Sequence, residues 1–310
     1  MPRALLITNP AAARTDARAV TAVRETLRSG GWTVEVAATA TAGDARRLAE
    51  RGRVEGFDTL LAYGGDGTAM QIAAAIVGTG IPLGLLPGGT GNVLAGNLRL
   101  PRRPVAAARA ILRYTPYVID LGIVDRADGP HYFAVCCGAG FDAALMGRTD
   151  SASKQRWRRA AYVGQALAAL PQVTSAHLRF TIDGVETRLA AAMALVCNCA
   201  DLMPPLLKLH PDIRPDDGLF DVVALRAEGA WQSVTAFMEL LMSRTPLRRD
   251  QVWIARGRTV RIDVEDGSPL PTQLDGEVVG TTPIEARVLP RALTVLVDPD
   301  TVPGGVGRHE

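Results

Sequence analysis

Residues 59–68 read Thr59-Leu60-Leu61-Ala62-Tyr63-Gly64-Gly65-Asp66-Gly67-Thr68, an apolar run that stops in a glycine cluster. A short run of this kind suits a strand covered on both faces, as in a parallel sheet wrapped by helices. The residues that follow, through Val77, suit a helix. The glycines therefore mark a strand-to-helix turn, where outward-pointing N–H groups and the helix dipole favour anions. Glycine also lets the backbone come close to a phosphate. Asp66 is the odd member, since a bare phosphate would repel it. Two readings stand: Asp66 works through Mg²⁺ or as a base, or it caps an ordinary turn.

The same rhythm extends in both directions. A strand at 3–8 precedes a helix from Asp16 to Leu27, closed by Gly30-Gly31, then a strand from Trp32 to Val36 and a helix from Ala42 to Arg51. Beyond the glycine cluster, Ile81–Leu86 forms another strand and ends in Pro87-Gly88-Gly89-Thr90-Gly91-Asn92. Two adjacent glycine-rich loops on one edge of a parallel sheet face one crevice. Thr90 and Asn92 bring polar side chains to it, and Arg14 is the nearest cation, unless it is only a solvated helix-start arginine.

Near Pro116 the rhythm changes. Segments 117–125, 131–138, 177–183, 186–199, 219–226, 252–256, 259–265 and 284–298 read as strands, with Ala127-Asp128-Gly129-Pro130 and Asp183-Gly184 as turns. Helical patterns cover 153–170 and Ala230–Met242. The expected fold class is α/β plus all-β: a three-layer α/β nucleotide-binding domain with a parallel sheet (1–118), then an antiparallel β-sandwich (119–290). The last strand, Ala292–Val297, fits either domain, and 291–302 can return to the first. Residues 303–310 read as a disordered tail.

Composition narrows the chemistry. The net charge of +2 gives no global pull toward nucleic acid. Lys154 and Lys208 are the sole lysines, so phosphate charge falls to backbone amides, Mg²⁺ and arginine. No apolar run reaches the roughly 18 residues of a membrane span. The first residues are too short for a signal peptide, and the protein is expected to be cytoplasmic. Cys136-Cys137 and Cys197-x-Cys199 lack zinc-site spacing and read as buried thiols, with a metal or redox role as the alternative.

Two further motifs carry chemistry. Leu274-Asp275-Gly276-Glu277 alone is a common hairpin turn, but a phosphoryl-transfer site built from loops lacks a base, and Asp275 or Glu277 supplies one. Pro211-Asp212-Ile213-Arg214-Pro215-Asp216-Asp217-Gly218-Leu219-Phe220-Asp221 gathers carboxylates around a tight turn, as a hard cation or a plain polar loop would have it.

GGDGT, PGGTGN, DDGLFDV and LDGE, in this order and spacing, resemble the diacylglycerol kinase catalytic-domain family. It includes bacterial diacylglycerol kinases, broader bacterial lipid kinases, and sphingosine and ceramide kinases. The likeness covers Asn9 to Val297. It implies an ATP- and Mg²⁺-dependent lipid kinase, with diacylglycerol as the leading substrate. It places ATP against Asn9, Pro10, Ala11, Ala12, Ala13, Thr39, the stretch Gly64, Gly65, Asp66, Gly67, Thr68, Ala69 and Met70, and Gly89, Thr90, Gly91 and Asn92. It implies a proton acceptor at Glu277, aided by Asp275 or Asp66, and a supporting Asp120. A structural Mg²⁺ site would use the Arg214 and Leu219 carbonyls and the Asp217 carboxylate.

This chain departs from the family pattern at Met70 and Gln71, where Asn-Glu is usual, and at Val93, where aspartate is common. A lipid kinase must also reach a bilayer. Lys154-Gln155-Arg156-Trp157-Arg158-Arg159 suits peripheral contact with the inner membrane surface, or a solvated surface helix. A homodimer is compatible with the sequence, and no nucleic-acid partner is expected. The competing functions are a kinase of NAD or another small molecule, which shares GGDGT, and a catalytically silent nucleotide- or lipid-binding regulator.

Overall fold

The computed structural model describes residues 1–140, 175–203, 207–208, 213–226 and 252–300. The helical patterns expected at 153–170 and Ala230–Met242, and the tail, lie outside them. The chain divides into two compact units, Met1–Leu121 with Pro290–Glu310, and Gly122–Leu289.

The first unit alternates β1 (Arg3–Thr8), α1 (Ala17–Ser29), β2 (Thr33–Ala38), α2 (Asp44–Val54), β3 (Thr59–Gly64), α3 (Asp66–Ile76) and β4 (Leu83–Pro87). Two short helices, α4 (Val93–Asn97) and α5 (Pro104–Ile111), precede β5 (Thr115–Arg126), which runs on into the second unit. The parallel order is β2-β1-β3-β4, and β4 also pairs in parallel with Val295.

Alternation along the strands builds three layers. Leu6 and Leu61, register partners, share a core with Val23 and Leu27 of α1 and Ala107, Ala108 and Ile111 of α5. Leu5 and Leu60, one residue back, lie against Gly52 of α2. Chain order reverses between β1 and β3, because β2 lies to one side of β1 and β3 to the other. Ligands favour the carboxyl ends of strands at such a switch point.

The second unit is antiparallel, as expected. After the end of β5 come β6 (Gly129–Phe133), β7 (Cys136–Gly140), β8 (Ala176–Ile182), β9 (Val185–Cys197), β10 (Asp201–Met203), β11 (Leu207–Lys208), β12 (Phe220–Arg226), β13 (Val252–Gly257), β14 (Thr259–Val264), β15 (Pro271–Leu274), β16 (Glu277–Thr281) and β17 (Ile284–Val297), whose end belongs to the first unit. The early half of β9 pairs with β8, and its later half lies between β7 and β12. Phe133, Phe180, Phe220, Val222, Val260 and Ile262 fill the core, with Phe133 and Phe220 stacked at 5.5 Å. Asp183-Gly184 turns the β8–β9 hairpin with both φ angles positive, as a tight two-residue loop requires.

Two sequence expectations change. The segment 131–138 is not one strand but β6 and β7, broken at Ala134-Val135, whose amides turn to the Asp275 side chain rather than to a ladder. The turn before it is Ala127-Asp128, and Gly129-Pro130 already belong to β6.

At the start of α2, Asp44 accepts from the amides of Ala40 and Thr41 and pairs with Arg47 at 3.0 Å, fixing the loop that leaves β2. These backbone hydrogen bonds, then Arg47, hold its carboxyl below its ordinary value of 3.8. A lowered folded-state pKa contributes stability above the unfolded value and loses it as pH falls. Asp44→Asn is therefore expected to lower the thermal midpoint at neutral pH. The gap from wild type should close as pH drops below 3.8. A pH-independent gap would contradict this assignment.

Candidate active site

Three loops meet at the carboxyl edge of the parallel sheet in the first unit. The Gly64 carbonyl accepts the N–H groups of Gly88 (2.8 Å) and Gly89 (3.0 Å), locking the end of β3 to the loop after β4. A Cβ on Gly89 would lie 2.5 Å from the Gly65 Cα, so these backbones touch only because residue 89 is glycine. A Cβ on Gly91 would lie 2.9 Å from Asp66 Oδ2, and one on Gly88 would lie 2.7 Å from Thr15 Cγ2. Close approach, not unusual φ, demands glycine here.

The loop after β1 joins them. Asn9 donates its side-chain amide to Thr68 Oγ1 at 3.3 Å and accepts the Ala11 N–H on Oδ1 at 3.0 Å. The Arg14 amide donates to the Gly88 carbonyl, and the Tyr63 hydroxyl donates to the Arg14 carbonyl. Burial, then the charge of Asp16, pushes the Tyr63 phenol up to about 12, so it stays a donor. Thr39 donates its amide to Thr8 at 2.8 Å, placing the end of β2 beside Asn9. Asn9 to Ala13, Thr39, Gly64 to Met70 and Gly89 to Asn92 thus lie on one edge of one sheet.

Helix α3 follows Gly65, which has no side chain to cap it, so no N-cap side chain covers its first turn. This geometry fits a nucleotide phosphate. The second loop is less available than its residue types imply. Asn92 adopts φ 52° and closes on Gly89, taking its N–H at 3.0 Å and donating to its carbonyl at 2.7 Å. Its side chain builds the turn instead of facing a ligand.

Asp66 joins the two loops, accepting the Leu94 amide on Oδ1 at 3.2 Å. Burial pushes its carboxyl up, against the pull of the Val93, Leu94 and Asn92 amides. Met70 and Gln71 are half-buried in α3. Asp120, 1% exposed, accepts the Arg291 amide at 2.7 Å, where Arg291 bends β17 at φ 54°. That contact ties it to the strand bend at Arg291.

The second unit holds the remaining candidates. Asp275-Gly276 is the two-residue turn between β15 and β16, at φ 47° and 88°. The Asp275 carboxylate accepts three amides, Ala134 at 2.8 Å and Val135 and Cys136 at 2.9 Å. The Asp275 amide donates to the Cys136 carbonyl. From the other side, Asn198 donates its side-chain amide to Ala134 at 2.9 Å and its backbone N–H to Val135 at 2.8 Å. Every backbone polar group from Ala134 to Cys136 is thereby satisfied. The polar Asn198, directly after the apolar run 191–197 and before Cys199, was the sequence signal for this staple.

As placed, Asp275 is an anchor: three amides engage both of its oxygens, which leaves Glu277 as the acid of the motif that faces solvent. The charge of Asp275, after burial, helps push the Cys137 and Cys199 thiols up, and all four cysteines are buried thiols outside any disulfide. Glu277, at the start of β16, is exposed, with no hydrogen bond or ion pair among the described residues.

In the expected metal loop, Asp217 Oδ1 accepts the Leu219 amide at 3.1 Å, and Oδ2 pairs with Arg256, while Arg214 holds Asp216 in a bidentate pair. Arg256 thus holds the Asp217 oxygen that the expected Mg²⁺ would use. Among the described residues no group of three or more His, Cys, Asp or Glu is arranged to hold a metal.

The split between anchor and exposed acid is measurable. Asp275→Ala strands three amides of buried residues and is expected to cost about 3 kcal/mol in urea unfolding. Glu277→Ala should stay within about 0.5 kcal/mol of wild type. Equal effects would remove the distinction.

Comparisons with known proteins agree with the fold of both units. Residues 3–124 match the "Diacylglycerol kinase catalytic domain", and residues 135–297 match the "YegS C-terminal NAD kinase beta sandwich-like domain". A diacylglycerol kinase of Mycobacterium tuberculosis is 29% identical over 260 residues, 82% of each chain. A "Probable lipid kinase YegS-like" of Pseudomonas aeruginosa is 32% identical, over 86% of each. An uncharacterized Synechocystis protein is 30% identical over 78% of this chain, which spans only 55% of that relative's length. A crystal structure of a diacylglycerol kinase from Bacillus anthracis shares the fold, with a TM-score of 0.74 at 18% identity over 97% of this chain and 98% of that one. The chain belongs to the diacylglycerol kinase catalytic-domain family with a YegS-type C-terminal domain, a family of lipid kinases that use ATP as phosphoryl donor.

Proposed function

We propose that this protein transfers the γ-phosphate of ATP to a hydroxyl of diacylglycerol, giving phosphatidic acid. The observation that carries the nucleotide part is the joining of three loops around the uncapped start of α3. The lipid part rests on the relatives named diacylglycerol kinase and lipid kinase.

In this reading the first-turn amides of Gly65 to Thr68 hold phosphate oxygens, and Asn9, through Thr68, keeps the loop after β1 against them. Asp66 is the carboxylate that would hold Mg²⁺, which when bound neutralises phosphate charge. Asp66 also keeps the second loop closed through Leu94. Glu277 takes the proton of the lipid hydroxyl as its oxygen bonds to phosphorus and the bond to ADP breaks. Its exposure, and the lack of a side-chain partner among the described residues, suit that role. Asp275 fixes the turn from which Glu277 emerges.

No helix among the described residues is long and apolar enough to cross a membrane. Contact with the bilayer is proposed to be peripheral, at the cytoplasmic face. The basic and aromatic residues Arg156, Trp157, Arg158 and Arg159 lie outside the described residues. Changing the three arginines to glutamate is expected to reduce binding to anionic liposomes, and unchanged binding would refute that contact.

The reaction is tested with purified protein, labelled ATP, Mg²⁺, diacylglycerol, other lipid alcohols and NAD. Label is expected on diacylglycerol, with none from Asp66→Ala. Glu277→Gln should lower turnover by roughly 10²–10⁴-fold while retaining nucleotide. Gly89→Ala, which forces the loops apart, should cost about 10²-fold. Label on NAD, or nowhere, would contradict the proposal. Label on another lipid would overturn the named substrate alone.

A further inference from the structure

The loop that enters β12 carries Asp216 and Asp217, and Asp221 follows in the strand. Each is matched to an arginine by the fold itself. Asp221 is the register partner of Arg256 across β12 and β13, so their side chains share a face. Arg256 Nε lies 3.1 Å from Asp221 Oδ1, and the same guanidinium reaches Asp217 Oδ2. Asp217 Oδ1 accepts the Leu219 amide, which closes the turn at Gly218, where φ is +73°. Arg214 takes both oxygens of Asp216 at 3.0 Å. Asp217 and Asp221 are largely covered, with side chains 23% and 12% exposed, and the Arg256 side chain, 44% exposed, closes over them from the solvent side.

We infer that Arg256 is the resident cation of this loop, and that the second unit needs no structural divalent metal. A planar guanidinium with several donors can bridge two carboxylates, as a hard cation would. Mg²⁺ at Asp217 would have to displace it or lie against a fixed positive charge. The chain's requirement for Mg²⁺ then resides with the nucleotide alone. This claim concerns folding and stands apart from the identity of the lipid.

The test is thermal unfolding of the full chain without nucleotide, in excess EDTA and in millimolar MgCl₂. Wild type is expected to melt within about 1 °C in the two media, and Asp217→Asn should melt lower by the same amount in both. Arg256→Gln should melt lower in EDTA and regain part of the loss with Mg²⁺, because its carboxylates are then open to a cation. The inference fails if wild type melts about 4 °C or more lower in EDTA, recovers with Mg²⁺, and loses that response in Asp217→Asn. Should Arg256→Gln not fold, wild type and Asp217→Asn still decide.

Discussion

The nucleotide half of this molecule depends on the carbonyl of Gly64, which accepts the Gly88 and Gly89 amides and so fuses two loops from neighbouring strands. The close approach to Gly65 requires glycine at position 89, where a Cβ would lie 2.5 Å from the Gly65 Cα. The fusion decides which amides remain for a ligand. Those of Gly88 and Gly89 are spent inside the protein, and the first turn of α3 has no N-cap side chain over it. The two glycine motifs thus divide the labour: the second buttresses, and the first presents.

Aspartates follow a common rule across both units. Asp44 holds Ala40 and Thr41, Asp66 holds Leu94, Asp120 holds Arg291, Asp183 holds Arg258 and Thr259, and Asp275 holds Ala134, Val135 and Cys136. All of these partners are backbone amides at turns, bends or helix starts. Short carboxylates suit that task, because charge-assisted bonds to N–H groups are strong and cost little side-chain entropy. An aspartate in a kinase motif is therefore as much a construction element as a chemical one. Glu277, exposed and without such an amide, is the contrasting case.

The strand–helix rhythm of 3–87 and the antiparallel character of the second half were legible because they follow from local periodicity and turn residues. The family was legible from four motifs in register. Three features were not. The break at Ala134-Val135 arises from Asp275, 140 residues away along the chain, and from Asn198. Arg256 reaches Asp217 only because β12 and β13 set the register. Asn92 looked like a ligand-facing amide, yet its left-handed backbone turns the side chain onto Gly89. Each depends on contacts between segments distant in sequence or on one residue's dihedral angles, which residue types alone do not encode.

The central claim is that phosphate is held by backbone amides at the start of α3, while those of Gly88 and Gly89 serve the fold. Amide resonances of isotope-labelled protein, followed during titration with Mg²⁺ and a non-hydrolysable ATP analogue, test it most directly. The account predicts large shifts at Gly65 to Thr68, and slow hydrogen exchange at Gly88 and Gly89 before any nucleotide is added. Shifts confined to residues elsewhere, or fast exchange at Gly88 and Gly89 in the free protein, would contradict it.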